Sequence, residues 1–325
     1  MVLLKNIGFC ILGVVLLYFG AEYLIRGGVA IARKLGVSPL LIGLTLVAFG
    51  TSAPELVVSI QAALADSGNI AVGNVVGSNI CNIALILGLC ALLKPIPANE
   101  KLFKLDMPLL LGASVLFTIF YFADGRGLNF WQGSVMVTIL LAYLMWSFYQ
   151  DKKNGGGELA AAAEEESGDS KKPVNIFVAL LMVIGGLAGL VLGSKSFVAS
   201  AIYFAAAMGV SQAVIGLTIV ALGTSLPELA TSVVAVMKNE ADIGVGNVVG
   251  SNIFNILVIM GIAPMVSTLH APDVKMVDLG VMLFCAFILW PVMKTGKRVS
   301  RGEGAFLLLI YAAYTTWLFY SAKMM

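Results

Sequence analysis

Two glutamates sit where a lipid-buried helix should hold none. Glu55 closes the hexapeptide Gly50-Thr51-Ser52-Ala53-Pro54-Glu55, and Glu228 closes Gly223-Thr224-Ser225-Leu226-Pro227-Glu228, 173 positions later. Each hexapeptide interrupts an apolar run long enough to cross a bilayer. Hard oxygen donors surround both acids. Thr51, Ser52 and Glu55 share a helix face by their spacing, and Thr224, Ser225 and Glu228 repeat that face. In the apolar run that follows, Ser78 and Asn82 stack on one face, as Ser251 and Asn255 do in the second copy. Oxygen ligands without sulfur or nitrogen suit Ca²⁺, Na⁺ or Mg²⁺ rather than transition metals. Ca²⁺, which takes about six to eight oxygens in irregular geometry, fits such a set.

The prolines add backbone oxygens. Pro54 and Pro227 donate no hydrogen bond, and their rings clash with the carbonyls four residues back, those of Gly50 and Gly223. Breaks are therefore expected near 50–54 and 223–227. A freed carbonyl is costly in hydrocarbon unless protein or a ligand satisfies it. A cation does so, and the carbonyls just before each break, including those of Ala48 and Ala221, join the candidate ligands. Small and hydroxylated residues in membrane helices often serve close packing alone. Gly43, Gly73, Gly77, Gly246 and Gly250 read that way. The carboxylates do not: each costs at least ~2.5–3.5 kcal/mol on insertion scales, and two at equivalent positions call for a cation. Glu22, whose counterpart is Lys195, reads instead as a snorkelling or paired side chain with Arg26 in reach.

The elements that must position these residues are membrane helices. The 325 residues are 59% hydrophobic and 12% charged, with mean hydropathy +0.97, against about 25% charged in a soluble domain. The chain is thus expected to be an all-α, polytopic membrane protein. Apolar spans fall at 6–33, 39–64, 69–93, 105–123 and 129–149, then 175–207, 212–237, 242–267, 276–293 and 303–322. The first span lacks a small-residue cleavage site leading into a soluble domain and reads as a transmembrane helix. Residues 150–173, with a triple glycine, a Glu-Glu-Glu run and then Lys171-Lys172-Pro173, read as a flexible linker. The organisation expected is therefore a first five-helix repeat at 1–149, the linker, and a second repeat at 174–325. Cys10, Cys81, Cys90 and Cys285 lie in apolar runs without metal-ligand spacing and read as small hydrophobes; the one histidine, His270, falls in an expected loop. No nucleophile–base pair, phosphate loop, nucleic-acid motif or cofactor motif appears, so neither an enzyme nor a cofactor is expected.

At an offset of 173 the halves align without gaps. Between 38–59 and 211–232, 14 of 22 positions are identical, and between 69–88 and 242–261, 14 of 20 are. Identity is thus concentrated in the second and third span of each half, where packing alone demands only apolarity. An odd number of spans per repeat inserts the second repeat upside down, the inverted-repeat plan of secondary transporters. With the N-terminus outside, 15 of the 20 Lys and Arg residues fall on the cytoplasmic side. Both termini are then outside, the linker is cytoplasmic, and the protein lies in the cell's plasma (inner) membrane.

The motifs Gly-Thr-Ser-x-Pro-Glu at 50–55 and 223–228, and Gly-Asn-Val-Val-Gly-Ser-Asn-Ile-x-Asn at 73–82 and 246–255, resemble those of the sodium/calcium exchanger family. The resemblance is closest to compact prokaryotic members and spans both repeats. It implies that Glu55 and Glu228 are the central calcium ligands and that Asn82 lies in the central region. Thr51, Ser52, Ser78, Thr224, Ser225, Ser251 and the Ala48 and Ala221 carbonyls would serve flanking sodium sites. Some relatives carry Asp where this chain has Asn255, which leaves two formal negative charges rather than three and puts potassium dependence in question. The activity implied is electrogenic exchange of Na⁺ for Ca²⁺, three for one as in the family, with the long first and sixth helices sliding past a core of helices two, three, seven and eight. A monomer would suffice. The alternatives are an H⁺/Ca²⁺ antiporter, a potassium-dependent Na⁺/Ca²⁺ exchanger and, less compatible with an occluded site, a cation channel.

Overall fold

A computed structural model describes residues 2–97, 102–153, 155, 174–208 and 221–323. Among them, eight helices are long and apolar enough to cross a membrane, and a bent pair supplies a ninth span. In chain order these are α1 (Val2–Leu35), the bent pair α2 (Pro39–Thr51) and α3 (Ala53–Leu64), α4 (Gly68–Leu93), α5 (Leu102–Ala123), α6 (Phe130–Lys153) and α7 (Ile176–Ala207). The expected span 212–237 lies partly outside the described residues, which give it α8 (Ala221–Gly223) and α9 (Leu226–Met237). Then come α10 (Ala241–Val266), α11 (Met276–Lys294) and α12 (Arg301–Lys323). Most of the expected linker, 154 and 156–173, also lies outside the described residues.

The two longest helices, α1 and α7, pack backbone to backbone because both carry glycine at seven-residue spacing. A methyl group on Gly13 would lie 2.8 Å from the Phe197 nitrogen, one on Gly20 2.8 Å from the Gly186 carbonyl, and one on Gly27 2.7 Å from the Ala179 carbonyl. The contact positions rise along α1 as they fall along α7, so the two helices run in opposite directions. With glycine on α1 at each of these crossings, interhelical attraction comes from van der Waals contact over the whole length.

Two short antiparallel ladders, not anticipated from sequence, tie the loops of one half to those of the other. β1 (Ile96–Pro97) pairs with β4 (Arg298–Val299), and β2 (Gly127–Leu128) pairs with β3 (Leu269–His270). His270, expected in a loop, therefore sits in a strand. Helix α5 runs from the first ladder to the second, and α11 runs from the second to the first, so these helices too are opposed. A buried tyrosine–aspartate bond joins α5 to α6, Tyr143 Oη donating to Asp106 Oδ1 at 2.9 Å. An analogous bond joins α12 to α11, from Tyr314 Oη to Asp278 Oδ1 at 2.9 Å.

The helices that carry the motifs lie at the centre. α4 and α10 are the most enclosed spans, and one continuous apolar core surrounds them. Helix α2 starts at a defined point: Ser38 donates through both its backbone nitrogen and its Oγ to Asp151 at the end of α6, each at 2.7 Å, and its Oγ caps Leu41 N. Pro39 fills the first turn, where a missing N–H costs nothing.

Candidate ion-binding site

Both spans that contain a hexapeptide break as their prolines require. The joint residue is Ser52 in the first, with φ −83° and ψ 2°, and Ser225 in the second, with φ −88° and ψ 6°. The first pair of helix segments meets at 46°. Each proline then lies in the opening turn of the helix that follows, and so does each glutamate. An opening turn carries unpaired N–H groups and the positive end of the helix dipole, which favour a negative charge. Gly50 and Gly223 have a second duty. A methyl on Gly50 would lie 2.6 Å from Leu187 Cδ2, and one on Gly223 2.7 Å from Val198 Cγ2, so side chains of α7 lie directly over both breaks.

The two glutamates are held by each other's hydroxyls. Ser52 Oγ donates to Glu228 Oε1 at 2.9 Å, and Ser225 Oγ donates to Glu55 Oε1 at 3.3 Å. Ser225 Oγ also lies 3.4 Å from Ser78 Oγ. Thr224 stands beside Glu55, and Thr51 and Ser251 beside Glu228. Each carboxylate is 1% exposed. The second oxygen of each, Glu55 Oε2 and Glu228 Oε2, has no hydrogen-bond partner. Asn82 Oδ1, Asn255 Oδ1, Thr224 Oγ1 and Ser251 Oγ are likewise buried without partners. These six oxygens come from both halves of the chain. Buried polar atoms are rarely left bare, so their concentration among the expected ligands marks a place suited to a cation.

Asn82 and Asn255 lie in π-helical turns, Cys81–Leu87 in α4 and Asn255–Ile259 in α10. A π-turn widens the helix and turns its face, a device common at functional positions. Their amides cross between the halves, Asn82 Nδ2 donating to Asn252 Oδ1 at 3.4 Å and Asn255 Nδ2 to Asn79 Oδ1 at 3.0 Å. The Ala48 carbonyl accepts Ser52 N at 3.0 Å and Thr51 Oγ1 at 3.3 Å, because the break completes one last turn before the chain bends. The carbonyl that Pro227 displaces, that of Gly223, accepts Ser194 Oγ at 2.6 Å. Ala221 is the first described residue of its span. Among the described residues, no cluster of three or more His, Cys, Asp or Glu side chains exists, so the charge of the site rests on the two glutamates.

Several supporting residues were not singled out by sequence. Asn74 Nδ2 donates to the Glu55 carbonyl and to Ser59 Oγ, and Asn247 Nδ2 donates to the Glu228 carbonyl and to Ser232 Oγ. Thr51 Oγ1 donates to Asn247 Oδ1 at 3.0 Å. Their signal was present: all four belong to the blocks that are identical in the two copies. Glu22 pairs with Arg26 at 2.6 Å, as expected, and also with Lys238 at 2.8 Å, which links α1 to the end of α9.

The family profile described as sodium/calcium exchanger protein matches residues 5–149 and 178–320. The sodium/calcium exchanger MaX1 of Methanosarcina acetivorans is 36% identical over 340 residues, covering 95% of this chain and 97% of that protein. The inner membrane protein YrbG of Escherichia coli is 32% identical over 317 residues, covering 95% and 96%. A solved structure of the sodium–calcium exchanger NCX_Mj, soaked without Na⁺ and Ca²⁺, superposes with TM-score 0.80 at 31% identity, covering 97% of this chain and 99% of that one. The chain belongs to the sodium/calcium exchanger family. It is a multi-pass membrane transporter and not an enzyme.

Proposed function

We propose that this protein exchanges Na⁺ for Ca²⁺ across the cell's inner membrane by alternating access to one site formed by both halves. The observation that carries this reading is the pair of cross-half bonds, Ser52 to Glu228 and Ser225 to Glu55, which hold two buried carboxylates beside unpartnered oxygens. Glu55, Glu228, Asn82 and Asn255 hold Ca²⁺. Thr51, Ser52, Ser78, Thr224, Ser225, Ser251 and the backbone at Ala48 and Ala221 serve Na⁺. Both ions need the same two carboxylates, so they exclude each other, and an empty dianion resists reorientation.

The architecture behind this is two inverted five-helix repeats, ten spans in all, joined by a cytoplasmic linker with both termini outside. The opposed directions of α1 and α7, and of α5 and α11, support the inversion. One Ca²⁺ neutralises the two glutamates, whereas three Na⁺ leave a net charge of +1. Three-for-one exchange then moves one net charge per cycle, worth about 2.3 kcal/mol per 100 mV. The hydroxyls around each carboxylate favour Na⁺ over H⁺ as the coupling ion, since a proton needs no cage. One chain contains every ligand, so a monomer suffices.

The test is ⁴⁵Ca²⁺ uptake into proteoliposomes with sodium, potassium and pH varied independently. The expected result is uptake driven by an outward Na⁺ gradient at clamped pH, without potassium, and accelerated by a positive-inside potential if Na⁺ leaves as calcium enters in excess charge. Uptake that follows a proton gradient and ignores sodium would replace this reading with H⁺/Ca²⁺ antiport.

A further inference from the structure

A primary amide beside a cation site can present either end, and only its oxygen end attracts the ion. At Asn255 the donor end is consumed by Asn79 Oδ1 at 3.0 Å, and at Asn82 by Asn252 Oδ1 at 3.4 Å. The Oδ1 atoms of Asn82 and Asn255 are thereby left without partners. Asn79 and Asn252 are themselves 2% and 0% exposed. The orientation of Asn79 is set one step further out. Its Nδ2 points at Met282 Sδ on α11, 3.9 Å away. A thioether accepts weakly and donates nothing, so it takes the NH₂ end of Asn79 and sends the oxygen end to Asn255.

Without that arrangement the site would satisfy itself. An amide free to turn would aim its NH₂ at Glu55 or Glu228, since a bond to a charged acceptor is worth more than one to a neutral amide. We propose that Asn79 and Asn252 are positioning residues that hold the amides of Asn255 and Asn82 oxygen-inward. They keep donors away from the glutamates so that a cation, not the protein, satisfies the two carboxylates. The chain of control on one side is Met282 to Asn79 to Asn255 to the ion. On the other side Asn252 Nδ2 has no such partner and its bond is longer, so its hold on Asn82 is weaker.

This inference rests on the calcium-binding reading above. Equilibrium ⁴⁵Ca²⁺ binding to the purified full chain tests it with Asn79→Leu, which keeps the volume and removes the acceptor. The calcium dissociation constant should rise about tenfold, the loss of one good hydrogen bond's worth of orientation. A carboxylate at position 255 has oxygens at both ends and needs no orienting. In an Asn255→Asp background, therefore, Asn79→Leu should add less than about threefold. Met282→Leu, a milder change of similar volume, should raise the constant about threefold in the parent, and Asn252→Leu should act less than Asn79→Leu. Equal losses from Asn79→Leu in both backgrounds mean a packing role and overturn the proposal. So does calcium binding by Asn79→Leu, or by Met282→Leu should the former not fold, that matches the parent. A parent that binds no calcium removes the exchange reading as well, which separates the two failures.

Discussion

The two copies of the ligand motif agree in backbone and disagree in what surrounds them. Ser52 and Ser225 share almost the same dihedral angles, and Asn74 and Asn247 bond the equivalent glutamate carbonyl and serine. Yet Thr51 Oγ1 bonds Asn247, whereas Thr224 Oγ1 has no partner. Other differences are written in the residue types. Ser194 holds the Gly223 carbonyl, but its counterpart is Ala21; Phe49 and Phe254 pack ring to ring with centroids 5.6 Å apart, but their counterparts are Leu222 and Cys81. In an alternating-access cycle, differences of the first kind exchange sides when the site reorients. Those of the second kind cannot, so the two end states differ in energy even without ions.

The largest test of equivalence between the copies is at the acids. Glu55→Gln and Glu228→Gln should each lower sodium-dependent calcium flux more than about hundredfold, because removing one partner of a buried charged assembly costs about 3–5 kcal/mol. A large loss from only one of them would break the equivalence. Next comes Ser194→Ala, which strands a buried carbonyl. Thermal unfolding in detergent should show a loss of about 1–3 kcal/mol, while Ala21→Ser, which adds a donor on the other side, should cost less than Ser194→Ala. A smaller contrast is expected at the threonines: Thr51→Val should cost about 1 kcal/mol of stability through its bond to Asn247, and Thr224→Val less, although both should weaken Na⁺ dependence of transport. The smallest effect should come from Lys238→Gln. Its pair with Glu22 is partly solvent-exposed and worth under about 1 kcal/mol, and added salt should shrink the difference further.

Much of this was legible in the sequence because it follows from local rules. Apart from the start of 212–237, which lies outside the described residues, apolar length placed the spans within a few residues of the helices, and proline chemistry placed both breaks. The repeated Glu, Thr and Ser residues stand beside one another across the two halves. What was not legible depends on geometry that no residue type announces. Nothing in Cys81–Leu87 or Asn255–Ile259 distinguishes a π-turn from an α-turn. The ladders are two residues long, too short for an alternating pattern. Ser194 carried no repeat signal because its counterpart is alanine. Asn74, Asn79, Asn247 and Asn252 did carry one, through identity in both copies. They support ligands rather than act as ligands, a distinction that needed the direction of each hydrogen bond. The Ala48 carbonyl lies two residues before the one that Pro54 displaces, so it still closes its turn onto Ser52 N, which the proline rule alone does not give.

The central claim is that the two copies build one calcium site and not two. Equilibrium ⁴⁵Ca²⁺ binding to purified parent, Glu55→Gln and Glu228→Gln protein tests it most directly. A shared site predicts about one calcium per parent chain and, in either variant, an affinity weakened more than about hundredfold at the same concentrations. Two calcium ions per parent chain, with one kept at parental affinity in each variant, would contradict it.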